Sequence, residues 1–352
     1  MSMASDMTEG RRKSPFHLFM IRAIKTLATI AVTMFGLLFI TFFIGRVMPV
    51  DPVLSIVGER ATKEIYDAAY IKLGLDKPLI VQFFIYVWDV MQGDFGQSLR
   101  TGFPVAGDIK RVFPATLELA TLGTMIGVLI GVPLGVMAAV KRGSWIDQIA
   151  RVVALIGYSM PVFWIGLIGL LVLYGKLGWV DGPGRLDVFN EDIIPPVTGM
   201  ILIDSALAGD WFIFKDAFSH IVLPASLLGY YSLAYISRMT RSFMLEQLSS
   251  EYIVTARVKG MSERAVIWKH AFGNIRVQLI TVIALSYAGL LEGSVLTEII
   301  FAWPGIGSYI TTSLLSADMN AVMGGTVVVG LVFVLLNIFA DLLYKFFDPR
   351  AK

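Results

Sequence analysis

Six stretches of the chain run for about 20 residues with almost no charge, the length a helix needs to cross a hydrocarbon core. Ala23 to Gly45 carries one charge, Lys25. Leu119 to Val140 and Val152 to Gly175 carry none. Ala217 to Ser237 has only His220, Val277 to Thr297 has only Glu292, and Ala321 to Ala340 has none. A helix of that length satisfies its own backbone hydrogen bonds in lipid. The pattern predicts an all-α, polytopic membrane protein with six transmembrane helices.

Composition agrees. Hydrophobic residues are 56% and charged residues 16% of the 352, where a soluble domain carries about 25% charged. The net charge of +2 says little, but its distribution says more. With the N-terminus in the cytoplasm, most of the 29 Lys and Arg residues fall on inner segments, among them Arg11, Arg12, Lys13, Lys141, Arg142, Arg238, Arg241, Arg257 and Arg264. This is the positive-inside bias, so both termini are expected in the cytoplasm. The first apolar run is longer than the core of a signal peptide and is expected to persist as an anchor. The chain has no cysteine, which excludes disulfides, thiolate metal sites and cysteine nucleophiles.

The expected organisation is a basic cytoplasmic tail over 1–22, a first transmembrane helix over 23–45, a periplasmic cap segment over 46–113 and a five-helix core over 114–347. The core includes a periplasmic segment over 176–216 and a cytoplasmic loop over 238–276, and residues 348–352 close the chain. Met48-Pro-Val-Asp-Pro52 is a turn. The stretch from Thr62 to Val90 is too polar to cross and too apolar to be a linker, so it predicts amphipathic helices on the outer surface. The segment after Lys176 gathers Asp181, Asp187, Glu191, Asp192, Asp204, Asp210 and Asp216. A solvated face is the expectation there, and a contact or selectivity surface the alternative. Gly123, Gly127, Gly131 and Gly135 recur every fourth residue and share one helix face, where a neighbouring backbone can approach closely. Pro133 should bend that helix, and Tyr158-Ser-Met-Pro161 places another proline inside the third span.

The stretch from Arg238 to Arg276 reads as two short amphipathic helices broken at Gly260, with Ser262 capping the second. A loop that only joins two spans needs neither helix nor fixed turn. A loop that receives a push from a partner needs both, because it must move as a rigid body.

Here the chain resembles a known family. Glu251, Ala256 and Gly260 match the conserved loop of ABC importer permeases in the dipeptide/oligopeptide/nickel branch. Leu73-Gly-Leu-Asp-Lys-Pro-Leu79, Gly93-Asp-Phe-Gly-Gln-Ser98, Pro114-Ala-Thr-Leu-Glu-Leu119, Ser159-Met-Pro161, Phe163-Trp164, Trp303-Pro-Gly-Ile-Gly307 and Asp348-Pro-Arg350 follow in the family's order. The match is to the B-type of the two permeases such systems carry. The resemblance implies the type I importer permease fold in a bacterial cytoplasmic membrane. It implies a heterodimer with a C-type paralogue, two ATPase subunits that bind ATP and Mg, and a substrate-binding protein outside. Glu251, Thr255, Ala256, Lys259, Gly260, Met261 and Ser262 would couple the chain to an ATPase groove. Short peptides are the expected substrate. One departure is Asn274-Ile-Arg-Val-Gln278, which lacks the family's proline and leaves the start of the fifth span open.

A second departure is Glu292, where relatives carry small or apolar residues. A carboxylate at that depth costs roughly 3 kcal/mol on an insertion scale. It either lines a translocation path, with Tyr158, Ser159 and Met160 of the broken third span, or makes an interhelical hydrogen bond. Glu118 and Glu298 are expected to mark the outer interface. The three histidines show no metal-ligand spacing, so no metal site, cofactor or nucleic-acid partner is expected; lipid is the surrounding medium. No phosphate-binding glycine loop is present, so ATP hydrolysis belongs to other chains and this chain is not an enzyme. A secondary transporter or channel working through membrane carboxylates is the alternative, but it gives the patterned loop no task.

Overall fold

The computed structural model describes residues 15–47, 52–58, 60–72, 74–191 and 193–347. The Met48–Asp51 part of the first turn, Leu73, Asp192, the Tyr158 side chain and Asp348-Pro-Arg350 lie outside the described residues. Among the described residues every regular element is helical, and one isolated bridge pairs Gln97 with Pro104.

Helix α1 (Pro15–Val47) is followed by three short helices, α2 (Pro52–Val57), α3 (Lys63–Lys72) and α4 (Leu79–Met91). Helices α3 and α4 fall in the stretch expected to form amphipathic helices. Phe83 of α4 is buried, and the rings of Phe35, Phe39 and Phe42 on α1 meet it edge-on at 5.5, 5.8 and 5.5 Å. Each such pair adds about 0.5–1.5 kcal/mol beyond its buried area. The Gly93–Ser98 motif is a turn with positive φ at Gly93 and Gly96. It seats on the start of the last helix, where Ser98 Oγ donates to Asp318 Oδ2 at 2.6 Å and Asn320 Nδ2 donates to the Gln97 carbonyl at 3.0 Å.

Helix α5 runs Val105–Val140 through Pro114, so one helix crosses the boundary expected between 113 and 114. A membrane helix tolerates the lost bond when neighbours supply packing and polar groups. Next come α6 (Trp145–Ser159) and α7 (Val162–Gly169), which runs on into a π-helical turn at Leu170–Lys176. Helix α8 (Ile201–Ala208) precedes the long α9 (Trp211–Leu248). Then follow α10 (Glu251–Val258), a π-helical turn (Ala265–Ala271) continuing into α11 (Phe272–Gly293), α12 (Val295–Ile300), α13 (Ile306–Leu315) and α14 (Met319–Phe347).

Five of these rods are long and apolar enough to cross a membrane, and a sixth crossing exists if α6 and α7 count as one. The proline expected to distort this span does so sharply: the chain turns by 99° at Met160-Pro161. Proline disfavours helical geometry in the residue before it, and Met160 is extended at φ −91°, ψ 133°. Two tyrosines of α9 satisfy carbonyls of the bent segment: Tyr230 donates to Val153 at 2.7 Å and Tyr231 to Met160 at 2.6 Å.

Helices α5 and α9 form the axis of the bundle. A Cβ on Gly123 would sit 2.9 Å from Leu228 Cβ, on Gly131 3.1 Å from the Leu233 carbonyl, and on Gly135 2.6 Å from the Ser237 carbonyl; on Gly127 it would strike Ser232. In return, Gly229 of α9 receives Ile126 of α5. Lipid gives helices no hydrophobic reason to associate, so this backbone approach supplies the van der Waals contact that does. The bundle has two ends. The cap end holds α2–α4, α8, α12 and α13. The loop end holds α10 and the turn between α5 and α6.

Candidate functional site

At the loop end the chain from Glu251 to Asn274 forms one packed unit. Ile253 and Ala256 of α10 are buried in a cluster with Val136 and Ala139 of α5, Met244 of α9, and Val266, Ala271 and Ile275. Gly260 ends α10 at φ +76°, a left-handed conformation that costs other residues about 1–2 kcal/mol. The Met261 N–H donates back to the Ala256 carbonyl at 3.2 Å, and Arg257 Nε to Glu263 Oε1 at 2.8 Å, closing the turn from both sides. Ser262 Oγ accepts from the Ala265 N–H at 3.4 Å, the N-cap geometry. The second expected helix is not separate. From Glu263 onward the chain is helical without interruption into α11, and Gln278 stands where the family's proline would fall. Glu251, Thr255, Lys259, Gly260 and Ser262 are exposed, Met261 is half-buried and Ala256 is buried beneath them. Val254, Val258 and Trp268 present bare apolar surface beside them.

Helix α11 buries Ile275, Leu279, Val282, Ser286, Ala288, Leu290 and Leu291 against the bundle. Ser286 Oγ and Ser232 Oγ of α9 lie 3.0 Å apart in that interface. The opposite face, at helical spacing, exposes Asn274, Gln278, Leu285, Gly289 and Glu292. The Glu292 carboxylate makes no hydrogen bond or ion pair with another described residue, so the interhelical bond considered for it is not found among the described residues. Gly289 and Gly293 flank it with open space where a side chain would begin. Ser159 and Met160 are exposed at the α6–α7 bend.

Glu118 and Glu298, expected near the outer ends of their spans, are both buried within the protein. Glu298 Oε1 accepts from Thr116 Oγ1 at 2.7 Å and Ser294 Oγ at 2.9 Å, and Oε2 from the Ser308 N–H at 2.8 Å. Burial pushes this carboxyl above its ordinary range, and those donors pull against it. The Trp303–Gly307 motif is the cradle: a Cβ on Gly305 or Gly307 would run into the Glu298 carboxylate. The indole of Trp303 donates to the Ala115 carbonyl at 2.9 Å. Glu118 accepts from Arg185 Nη2 at 2.6 Å and from the Leu202 N–H at 2.8 Å. The glycine pair was visible in the sequence; that it closes on a carboxylate from the preceding helix was not.

The acidic segment is not a uniformly solvated face. Asp204 is buried and accepts from the backbone N–H groups of Val197, Thr198 and Gly199 and from the Thr198 hydroxyl. Burial pushes its carboxyl up, but these hydrogen bonds outweigh that and hold it below its ordinary value. Asp210 caps α9. Asp181, Asp216 and His220 bring three ligand-type atoms within 4.8 Å of one another, although His220 Nδ1 already lies 3.0 Å from the Asp216 backbone oxygen.

The family described as binding-protein-dependent transport system inner membrane component matches residues 131–352, and its N-terminal counterpart matches residues 17–120. The chain is 43% identical over 317 residues to the probable D,D-dipeptide transport system permease protein of Escherichia coli (strain K12), covering 90% of this chain and 92% of that protein. It is 42% identical over 321 residues to the di/tripeptide transport system permease protein of Pseudomonas aeruginosa (strain UCBPP-PA14), covering 91% and 95%. Among solved structures, the MetNI methionine ABC transporter in inward facing conformations superposes at a TM-score of 0.49 and 16% identity, over 66% of this chain and 93% of that one. The chain belongs to the binding-protein-dependent transport system inner membrane components, the permease subunits of ABC importers, in which ATP hydrolysis resides on separate chains.

Proposed function

We propose that this permease forms half of an alternating-access path for short peptides and that Glu292 meets the peptide's amino terminus inside it. The observation that carries the reading is the bare stripe of α11. A carboxylate near the end of a membrane helix, unpaired among the described residues and flanked by two glycines with room around them, is stable only against a polar cavity or a cationic partner. The relatives named for dipeptides and tripeptides supply the substrate class. The other wall of the path belongs to a C-type paralogue, and a binding protein delivers peptide at the cap end. The positive-inside bias puts the loop end and both termini in the cytoplasm. There the exposed ridge of α10, with Val254, Val258 and Trp268, docks in one of two ATPase subunits that bind ATP and Mg. ATP-driven closure moves the Glu251–Asn274 unit as one body.

The test is uptake of a labelled dipeptide by the assembled complex in proteoliposomes, with binding protein outside and ATP inside. Glu292→Gln should cut transport about tenfold or more, the scale of one lost charge-assisted contact. Glu292→Asp should retain part of it. An N-acetylated dipeptide should be indifferent to the substitution. Unchanged dipeptide transport by Glu292→Gln sinks the assignment.

A further inference from the structure

A cavity with a few polar groups in a largely apolar lining lies away from the α11 stripe, between α1, α4 and the start of α14 at the cap end. Its volume is about 240 Å³. Arg46, in the last turn of α1, lines it half-buried, with its guanidinium 5.4 Å from the centre of the Phe42 ring. Among the described residues Arg46 has no carboxylate at ion-pair distance. Asp89 of α4 lines the same cavity half-buried and has no cationic partner either. Burial, and then the neighbouring Asp94, push its carboxyl up. Gln82 is 8% exposed. Its Nε2 donates to the carbonyls of Lys77 at 2.8 Å and Leu75 at 3.3 Å, which fixes the amide. Its Oε1 is left buried with no donor, and the residue lines the cavity. An unmet buried acceptor costs about 1–3 kcal/mol. Two unmet charges thus share one space, a cation and an anion, and an unmet neutral acceptor is buried in its wall.

Such a set fits a zwitterion with N–H donors at one end and an anion at the other. We propose that the cavity holds the headgroup of an aminophospholipid, with its phosphate on Arg46 and its ammonium between Asp89 and Gln82 Oε1. A free dipeptide is the other source of the same chemistry. The surroundings favour lipid. Ile40, Phe43 and Ile44 on the outer turns of α1 are bare. They leave an apolar wall for acyl chains beside a headgroup-sized hollow at the level where a transmembrane helix meets water.

The experiment uses the full complex in nanodiscs of phosphatidylethanolamine, phosphatidylcholine and phosphatidylglycerol in equal parts, followed by delipidation and mass spectrometry of retained lipid. The wild-type complex should keep phosphatidylethanolamine over phosphatidylcholine by about tenfold, because three N-methyl groups remove every N–H donor. Arg46→Gln and Asp89→Asn should bring retention to the level of bulk lipid. Should either variant fail to assemble, the wild-type preference between the two headgroups decides alone. Equal retention of the two, preference for phosphatidylglycerol, no retained lipid, or displacement of phosphatidylethanolamine by millimolar alanyl-alanine would each overturn the proposal.

Discussion

Arg241 of α9 grips Asp147 of α6 at both carboxylate oxygens, Nε to Oδ1 at 2.7 Å and Nη2 to Oδ2 at 3.1 Å. Asp147 is 1% exposed, and it also accepts the Gly143 N–H at 3.0 Å. One carboxylate therefore fastens the α5–α6 turn to the central helix. Removing one partner of a buried pair costs about 3–5 kcal/mol, and the lower figure applies because Arg241 keeps 24% exposure. Arg241→Ala should lower the melting temperature of the purified complex, and Arg241→Ala with Asp147→Ala should recover most of the loss. A double variant no better than the single would show that the pair does not act as a unit.

Gly260 has open space around it within this chain, so its substitution tests backbone geometry and the fit to the ATPase subunit, not packing inside the permease. Gly260→Asn, which tolerates a left-handed φ, should couple nearly normally. Gly260→Val should keep the complex assembled and its basal ATPase running while transport falls about fivefold or more, given a strain of about 1–2 kcal/mol in the turn. The check is ATP hydrolysed per peptide imported.

The Glu298 cradle predicts a steep penalty for very small changes. Gly305→Ala places a methyl against the Glu298 carboxylate and the Thr116 hydroxyl. Glu298→Gln risks pointing an amide donor at the Ser308 N–H, at a cost of about 1–3 kcal/mol. Both should reduce the yield of folded complex in size-exclusion profiles far more than Gly289→Ala, which has room.

Asp204 gives a pH dependence of known sign. Its folded carboxyl titrates below the ordinary value of 3.8, so its stabilisation is complete above that value and lost as pH falls through the folded one. Protection of the Thr198 and Gly199 amides, relative to intrinsic exchange at the same pH, should be high near neutrality and fall in strong acid. In Asp204→Asn it should be lower near neutrality, and the acid-dependent step should disappear.

Much of the architecture was legible because lipid enforces a simple pattern: long uncharged runs must be helices. Ends were less legible. Helix α5 passes through Pro114 and α9 begins before Ala217, since charged residues such as Asp108 and Asp216 find partners instead of ending the helix. The 99° bend was signalled by Pro161, but its size depends on tyrosines of a helix far along the chain. In the candidate site, the exposed loop motif was readable because its residues are neighbours in sequence. The Glu298 cradle was not, because Thr116 comes from another helix, and a burial-dependent role leaves no local pattern.

The Ala265–Gly293 rod has a mechanical consequence. It spans roughly 40 Å at 1.5 Å per residue, with the loop-end cluster at one end and Glu292 at the other. The helix is continuous through the π-helical turn at Ala265–Ala271, so the surface that would take a thrust and the carboxylate that would touch cargo stand on one rod. On the proposed function, a tilt at Trp268 would carry Glu292 with it, leaving little occasion for cargo contact to lag behind the stroke.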